Sequence, residues 1–316
     1  MALRSGFVCI LGRPNAGKST LLNALVQQKL AIVSPKPQTT RNRILGVVHV
    51  PKEKGRPEAQ IVLLDTPGVH RPDSSLGRKM MAEVHESLEG CDLVLLLVDA
   101  TKSGADNLRH FDLRKQENFV FELAKRSGTP AFLLLNKIDL LRGEKQKLLP
   151  LIASYKEAIP FKEVIPLSAK TGNGIHLLLD EIVKYMPIGP RHFPEDQVTD
   201  QPLRFMCAET IREQVLLHTS EEVPHATSVV MDQFEEGPKL TRITATIHCE
   251  REGQKRILIG RHGQMLKKVG TAARLQIEKM LEGKKVFLEL FVKVSPDWRN
   301  SRLFVEELDW RQSLGF

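Results

Sequence analysis

Over residues 7–186 the chain alternates between short, nearly unbroken apolar runs and longer stretches of mixed polarity. The runs fall at 7–11, 60–65, 93–99, 131–136 and 164–168, and they are rich in Val, Ile and Leu. They lack the alternation of a half-exposed strand, which is how strands covered on both faces read. Between them, 18–26, 76–88, 116–126 and 174–185 carry apolar residues at helical spacing. Strand and helix in repeated alternation predict a mostly parallel sheet with helices on both faces. One further run, 44–50, is joined to 60–64 by the polar stretch PKEKGRPEA and predicts an antiparallel hairpin at the sheet edge.

The grammar changes after Met186. The stretch 187–202 holds four prolines and few core-forming residues, and reads as a linker. Beyond it the pattern predicts a helix (203–217), two strands (227–234 and 242–251), a helix (254–259), a Gly-x-x-Gly turn, a longer helix (265–281) and a strand (286–294). The chain therefore divides into an α/β domain at 1–186, a linker at 187–202 and an α+β unit at 203–316.

Within the first half, chemistry gathers at the ends of the apolar runs. GRPNAGKS, comprising Gly12, Arg13, Pro14, Asn15, Ala16, Gly17, Lys18 and Ser19, lies directly between a strand and a helix that continues with Thr20. That is the setting of a phosphate loop: backbone N–H groups curl around phosphates and the helix directs its positive end at them. Lys18 is placed to reach the β- and γ-phosphates, and Ser19 to ligate Mg²⁺. NKID, comprising Asn136, Lys137, Ile138 and Asp139, ends the fourth run. A carboxylate there accepts both guanine donors, N1–H and the N2 amino group, whereas adenine would set a lone pair against it; such a polar mismatch discriminates strongly. Asn136 would bond the far edge of the base, and the stem of Lys137 would cover its face. Ser168, Ala169 and Lys170 follow the next run and offer a backbone N–H to guanine O6. DTPG, comprising Asp65, Thr66, Pro67 and Gly68, supplies a carboxylate for the Mg²⁺ hydration shell and an N–H for the γ-phosphate. The aperiodic segment 34–43 between them reads as a switch loop, with Thr40 as the second Mg²⁺ ligand and Thr39 its rival.

In chain order, GRPNAGKS, DTPG, NKID and SAK, each at a strand end, resemble the Ras-like superfamily of phosphate-loop GTPases. The residue after DTPG is Val69, where Ras-type enzymes carry a Gln that orients the attacking water. The resemblance implies a different source of polarity, a monovalent cation such as K⁺ held by Asn15.

Net charge changes the picture of the C-terminal half. From Lys239 to Arg299 there are fourteen Lys/Arg against six Asp/Glu, a surplus equal to the net +8 of the whole chain. A polyanion-binding face is expected there. GRHG, comprising Gly260, Arg261, His262 and Gly263, sits in this stretch with Arg256, Lys267 and Lys268 within one or two turns. Ile257, Leu258 and Ile259 read as an adjoining apolar floor. The order α-β-β-α-Gly-x-x-Gly-α-β resembles a type II KH domain, in which such a loop clamps the backbone of single-stranded RNA.

A GTPase followed by a type II KH domain is similar to the Era family of bacterial ribosome-assembly GTPases. The phrases that carry this are GRPNAGKSTLLNAL, PQTTRNRI, DTPGVH, NKID, SAKTG, ILIGRHGQMLKKVGTAAR and LELFVKVSPDWR. The resemblance implies GTP and GDP as ligands, Mg²⁺ and K⁺ as cofactors, and 16S rRNA and the small ribosomal subunit as partners, bound at the 3′ end of the rRNA in the GTP state. It departs from the family in longer stretches at 51–59 and 102–119, expected to be surface insertions, and in His262, where glycine is frequent. The second class of function is a membrane-associated signalling GTPase using its basic C-terminal domain on anionic lipid. No DNA is expected as a partner.

The four cysteines are widely spaced and form no Cys-x-x-Cys pair. That speaks against zinc and a disulfide framework and suits a reducing cytoplasm. No apolar run approaches the ~20 residues of a membrane span. A bacterial cytoplasmic location is expected, with peripheral association at the inner membrane as the second location considered.

Overall fold

The computed structural model describes residues 2–53, 55–69, 72–101, 118–141, 146, 148–158 and 160–313. Its contacts divide the chain into two compact units: 1–31, 40–71 and 80–200 form the first, and 32–39, 72–79 and 201–316 the second.

The first unit runs β1 (Arg4–Gly12), α1 (Lys18–Val26), β2 (Ile44–Val50), β3 (Ala59–Asp65), α2 (Ser75–Glu89), β4 (Leu93–Asp99), α3 (Asn118–Ser127), β5 (Ala131–Asn136), α4 (Leu148–Ala158), β6 (Glu163–Pro166) and α5 (Ile175–Tyr185). The sheet order is β2-β3-β1-β4-β5-β6, with β2 antiparallel to β3 and the other neighbours parallel. Strands β3, β4 and β5 are buried at every position, as their unbroken apolar sequence requires. Parallel register brings the C-terminal ends together: Ile10 lies opposite Asp65, Gly12 opposite Leu97, and Asp99 opposite Asn136. Ligands of open α/β sheets bind along that edge.

The structure differs from the sequence reading at several places in this unit. The proline-rich stretch is not free chain. The Val47 N–H donates to Val198 O at 2.9 Å, Thr199 Oγ1 donates to Leu45 O at 2.7 Å, and the Gln60 carboxamide bonds backbone groups of His192 and Phe193. The first two bonds occupy the otherwise open edge of β2, and Gln60 adds a tie from β3. Strand β6 ends at Pro166, two residues short of the apolar run. Helix α4 was not anticipated. The insertion expected at 102–119 lies outside the described residues except at 118–119, as does the start of the helix expected at 116–126.

The second unit contains α6 (Leu203–His218), β7 (Ser228–Glu236), β8 (Leu240–Cys249), α7 (Glu252–Ile259), α8 (Gln264–Met280), β9 (Lys285–Val294) and the short helices α9 (Arg302–Glu307) and α10 (Trp310–Ser313). Its sheet order is β7-β8-β9, antiparallel then parallel, with a bulge between Met231 and Gln233. One core joins Ile211 and Val215 of α6, Leu258 of α7, Val269, Ala273 and Ile277 of α8, and Ile243, Ala245 and Ile247 of β8. Helix α6 also buries Arg212 and Glu213, which is costly unless both are paired. Their partners come from 32–39: the Val33 N–H donates to Glu213 Oε1 at 2.9 Å, and Arg212 donates to Thr39 O. Glu209 completes a fork on Arg212 at 2.7 and 2.6 Å. The segment 72–79 joins the same unit through Leu76 N–H to Arg299 O at 3.0 Å and Lys79 Nζ to Asp309 Oδ2 at 3.2 Å.

Candidate nucleotide and nucleic-acid sites

The phosphate loop takes the conformation its glycines permit. Asn15 and Gly17 have left-handed φ values of 63° and 103°. A Cβ on Gly17 would stand 2.3 Å from Asn136 Nδ2, so this position admits only glycine. Lys18 is buried and donates from Nζ to Gly12 O at 3.1 Å and Arg13 O at 3.2 Å, which curls the loop around its own ammonium. Burial lowers the Lys18 pKa, and Asp65 nearby works against that shift.

Three oxygen groups converge beside it. Ser19 Oγ lies 2.7 Å from Thr40 Oγ1 and donates to Asp65 Oδ2 at 2.7 Å. Burial pushes the Asp65 carboxyl up to about 6, against the pull of Lys18, Ser19 and Thr40. Asp65 Oδ1 is buried without a hydrogen-bond partner. Two hydroxyls and a carboxylate with a spare oxygen are the hard donors Mg²⁺ takes, and a cation there would favour the ionised carboxylate. Thr40, not Thr39, is the residue brought to this cluster; the carbonyl of Thr39 is taken by Arg212. Among the described residues no group of three His, Cys, Asp or Glu gathers as a metal site. Thr66 Oγ1 donates to Ile10 O at 2.8 Å, and Val69, directly after the DTPG turn, is 3% exposed within the apolar core and offers no polar group. A Cβ on Gly68 would meet Pro14 Cγ at 2.8 Å, which seats Pro67 and Gly68 against the phosphate loop.

The NKID motif braces the same loop. Asn136 Nδ2 donates to Ala16 O at 2.8 Å, and the Ala169 N–H donates to Asn136 Oδ1 at 2.9 Å. The Asn136 carboxamide thus ties three loops together, and in this structure it occupies the Ala169 N–H of the SAK motif. Lys137, at φ 69°, donates from Nζ to Asn15 O and to Asp99 Oδ2, both at 2.8 Å. Burial pushes the Asp99 carboxyl up, but hydrogen bonds from Lys137 and Thr101 outweigh it and hold the pKa below the usual value. Asp99 is a positioning residue the sequence reading missed; its place at the end of β4, beside Asn136, is the signal that marks it. Ile138 and Asp139 open a short 3₁₀ turn that leaves the Asp139 carboxylate exposed, while Ser168 and Ala169 are buried and Lys170 is exposed.

In the second unit, Gly260 and Gly263 have φ of 73° and 75°, and His262 between them has φ 50°. A Cβ on Gly260 would lie 2.8 Å from Met265 Cβ, so close helix approach fixes this glycine; nothing lies within 4 Å of a Cβ on Gly263. Arg256, Arg261, His262, Lys267 and Lys268 are exposed around the loop. Of the expected apolar floor, Ile257 is 47% exposed and Ile259 half-buried, but Leu258 is 1% exposed and belongs to the core. A cavity of about 380 Å³ runs from Gly263 between α8 and β9, with Leu266, Leu288 and Leu290 as its apolar lining and Lys267 and Arg274 as its cations. Gly270 allows that approach: a Cβ there would stand 3.3 Å from Leu290 Cδ1. The spacing of Gly263, Lys267, Gly270 and Arg274 along α8 was the legible trace of this groove.

No described helix is long and apolar enough to cross a membrane. Residues 7–137 match the 50S ribosome-binding GTPase family and residues 222–299 the KH domain family. The GTPase Era of Ruminiclostridium cellulolyticum is 46% identical over 313 residues, covering 98% of this chain and 99% of that protein. The GTPase Era of Syntrophus aciditrophicus is 45% identical, covering 98% and 96%. A variant of Aquifex aeolicus Era bound to GDP and aluminium fluoride superposes with a TM-score of 0.88 at 40% identity, covering 96% and 98%. Era in complex with MgGDPNP and nucleotides 1506–1542 of 16S ribosomal RNA superposes with a TM-score of 0.89 at 40% identity, covering 97% and 98%. With near-complete coverage at such identity, and with both the phosphate-loop unit and the KH unit in place, this chain belongs to the Era family of GTPases.

Proposed function

We propose that this protein is a GTP-hydrolysing switch that binds the single-stranded 3′ end of 16S rRNA through residues 203–316 and acts in small ribosomal subunit assembly in the bacterial cytoplasm. The observation that carries the RNA half is the groove beside GRHG, apolar at its base and cationic at its rim. Such a groove suits unstacked bases with their phosphates laid against open glycine backbone. The nucleotide half rests on the brace of Asn136, Lys137 and Asp99, which leaves Asp139 free to accept from guanine.

In this reading Lys18 exchanges its loop carbonyls for the β- and γ-phosphates. Ser19 and Thr40 hold Mg²⁺ directly and Asp65 holds it through water; the cation supplies neutralisation of charge on the transferring phosphoryl group. Thr40 reports whether γ-phosphate is present. Val69, buried and apolar, leaves the orientation of water to the backbone and to charge in the loop. We assign that charge to K⁺ at Asn15, whose left-handed backbone directs its carbonyl to Lys137.

The test replaces Arg261 and His262 together with aspartate in the full chain. Both side chains are exposed, so the fold and GTP binding should persist. Binding to a 3′-terminal 16S rRNA oligonucleotide should be lost, and binding by the parent should fall steeply with salt. A folded double variant that binds this oligonucleotide as tightly as the parent overturns the assignment. Parallel co-sedimentation with anionic liposomes reads out the membrane-directed reading of the same basic face.

A further inference from the structure

Strand β9 has two faces of different character. Val286, Leu288, Leu290, Val292 and Val294 pack into the core of the second unit, and Leu288 and Leu290 also line the groove beside GRHG. The alternate positions, Lys285, Phe287, Glu289, Phe291 and Lys293, are all exposed. Phe287 and Phe291 are 52% and 50% exposed. A single exposed apolar residue needs no account, but two rings on one strand face form a patch. Strand β8 does not cover them. Register sets Arg242 opposite Phe287, Thr244 opposite Glu289 and Thr246 opposite Phe291. The Arg242 guanidinium stands 5.9 Å from the Phe287 ring centroid, and Thr246 Oγ1 donates to Asp232 Oδ2 at 2.7 Å. Beyond them His248 lies under Phe304 of α9, ring centroids 4.8 Å apart, so that end of the face is closed while both phenylalanines stay open.

We propose that this face is a second subsite for single-stranded RNA, a platform on which one base stacks on Phe287 and another on Phe291. The inference rests on the RNA-binding reading of the groove and extends it to the other side of the same strand. Aromatic rings standing on an open sheet are a surface that takes unstacked bases of any sequence. Continuity with the groove says which chain would lie there. Strand β9 ends the sheet order β7-β8-β9, so its own width separates the groove from the rings. A strand of RNA leaving the groove reaches the platform by passing over that edge.

Charge and spacing agree with this occupant. On β8 and β9 the exposed face carries Arg242, Lys285 and Lys293 against Glu289, with Lys285 reaching Glu278 of α8 at 4.0 Å. Lys285 and Lys293 flank the two rings along the strand and are placed for the phosphates on either side of the stacked bases. The acids Asp232 and Glu235 belong to β7, two strands and about 10 Å from β9. They repel phosphate there and confine the chain to the β9 side. The rings are four residues apart on one strand, about 13 Å, too far to share a base between them. Glu289, midway, keeps phosphate off the centre and can accept from the amino group of a base.

The experiment measures binding of the full-length protein to a nested set of single-stranded 16S rRNA 3′-end oligonucleotides by fluorescence anisotropy. The set starts at about four nucleotides, the length a Gly-x-x-Gly loop clamps, and lengthens from either end. Three proteins are compared: the parent, Phe287→Leu with Phe291→Leu, and Phe287→Tyr with Phe291→Tyr. Both positions are half exposed, so the fold should persist, which a thermal melt checks. The parent should gain affinity as the RNA outgrows the groove. The leucine variant should lose that gain, about tenfold for each ring, yet bind the shortest RNA as the parent does. The tyrosine variant, whose rings still stack, should keep the gain. A leucine variant that tracks the parent at every length overturns the platform and leaves the face to a protein partner. A leucine variant weakened equally at every length, the shortest included, overturns it too, because the rings would then act through the groove. A parent that binds none of these RNAs defeats the RNA-binding reading itself, and the platform falls with it.

Discussion

Replacing Asn136 with alanine removes one carboxamide from a site where it holds three loops. Asn136 is 2% exposed, and its carboxamide donates to Ala16 O at 2.8 Å and accepts from the Ala169 N–H at 2.9 Å. Ala16 and Ala169 are themselves 3% and 4% exposed, so the groups left behind sit where water reaches them poorly. An unpaired buried donor or acceptor costs about 1–3 kcal/mol, so the pair costs about 2–6. Gly17 lies against the same side chain, and relaxation into the freed volume should keep the loss near the lower half, about 2–4 kcal/mol. For a unit of this size each kcal/mol lowers Tm by roughly 2–4 °C, which predicts a fall of about 5–15 °C. The assay is calorimetry of the nucleotide-free protein, assigning the transition that GDP shifts upward to the nucleotide-binding unit. Fluorescent GDP binding should weaken in step, because the variant must order the loops from the ligand's own binding energy. A Tm within 1 °C of the parent would show that the Asn136 bonds are not what holds the loops, and the bracing argument would fail.

Asp139→Asn should move preference from GTP toward XTP, since xanthine presents an acceptor where guanine has its amino group; unchanged relative affinity in competition binding refutes the assignment. Turnover should be faster in KCl than in NaCl at equal ionic strength, and Asn15→Ala should erase the difference; indifference of the parent to the cation removes K⁺ from the mechanism. Thr40→Ala should bind GDP normally yet lose the gain in RNA affinity on GTP binding, measured by filter binding in each nucleotide state. His248 is 8% exposed, and burial, then Lys293, hold its pKa below the usual value against Asp232. The unfolded chain therefore takes up this proton first as pH falls, and stability of the second unit should decline below about pH 6.5. Urea melts of His248→Gln should show a flatter decline over that window.

The nucleotide site was legible because its chemistry demands fixed residue types at strand ends. Phosphate needs glycine backbone, guanine needs a carboxylate, and both need a parallel sheet to bring Gly12, Asp65 and Asn136 to one edge. Strands β4 and β5 coincide with their apolar runs because burial on both faces leaves no alternation to misread. Helix α4 escaped because LLPLIASYKEA begins as a continuous apolar run with a proline in its first turn. Proline is tolerated there, but the run lacks the polar face that marks a helix. The proline-rich stretch reads as a linker because its partners are backbone groups of β2 and the single Gln60 side chain of β3, and bonds over such a separation leave no mark in the local pattern. The groove beside GRHG was half legible. Its cations, Lys267 and Arg274, and Leu266 lie along α8, but Leu288 and Leu290 come from β9, which no local pattern ties to that helix.

The chain is made from one end, and the second unit draws on both. Val33 precedes Glu213 by 180 residues, and Thr39 precedes Arg212 by 173. At about 5–20 residues per second, roughly 9–36 seconds separate the synthesis of each such pair. Segment 32–39 is therefore translated long before α6 exists to receive it. A fragment that begins at residue 201 would lack the backbone groups that Arg212 and Glu213 hold, however well its core closes. Segment 32–39 thus waits on a helix made long after it, and slowing translation between them should lengthen the interval during which that segment is open to proteolysis.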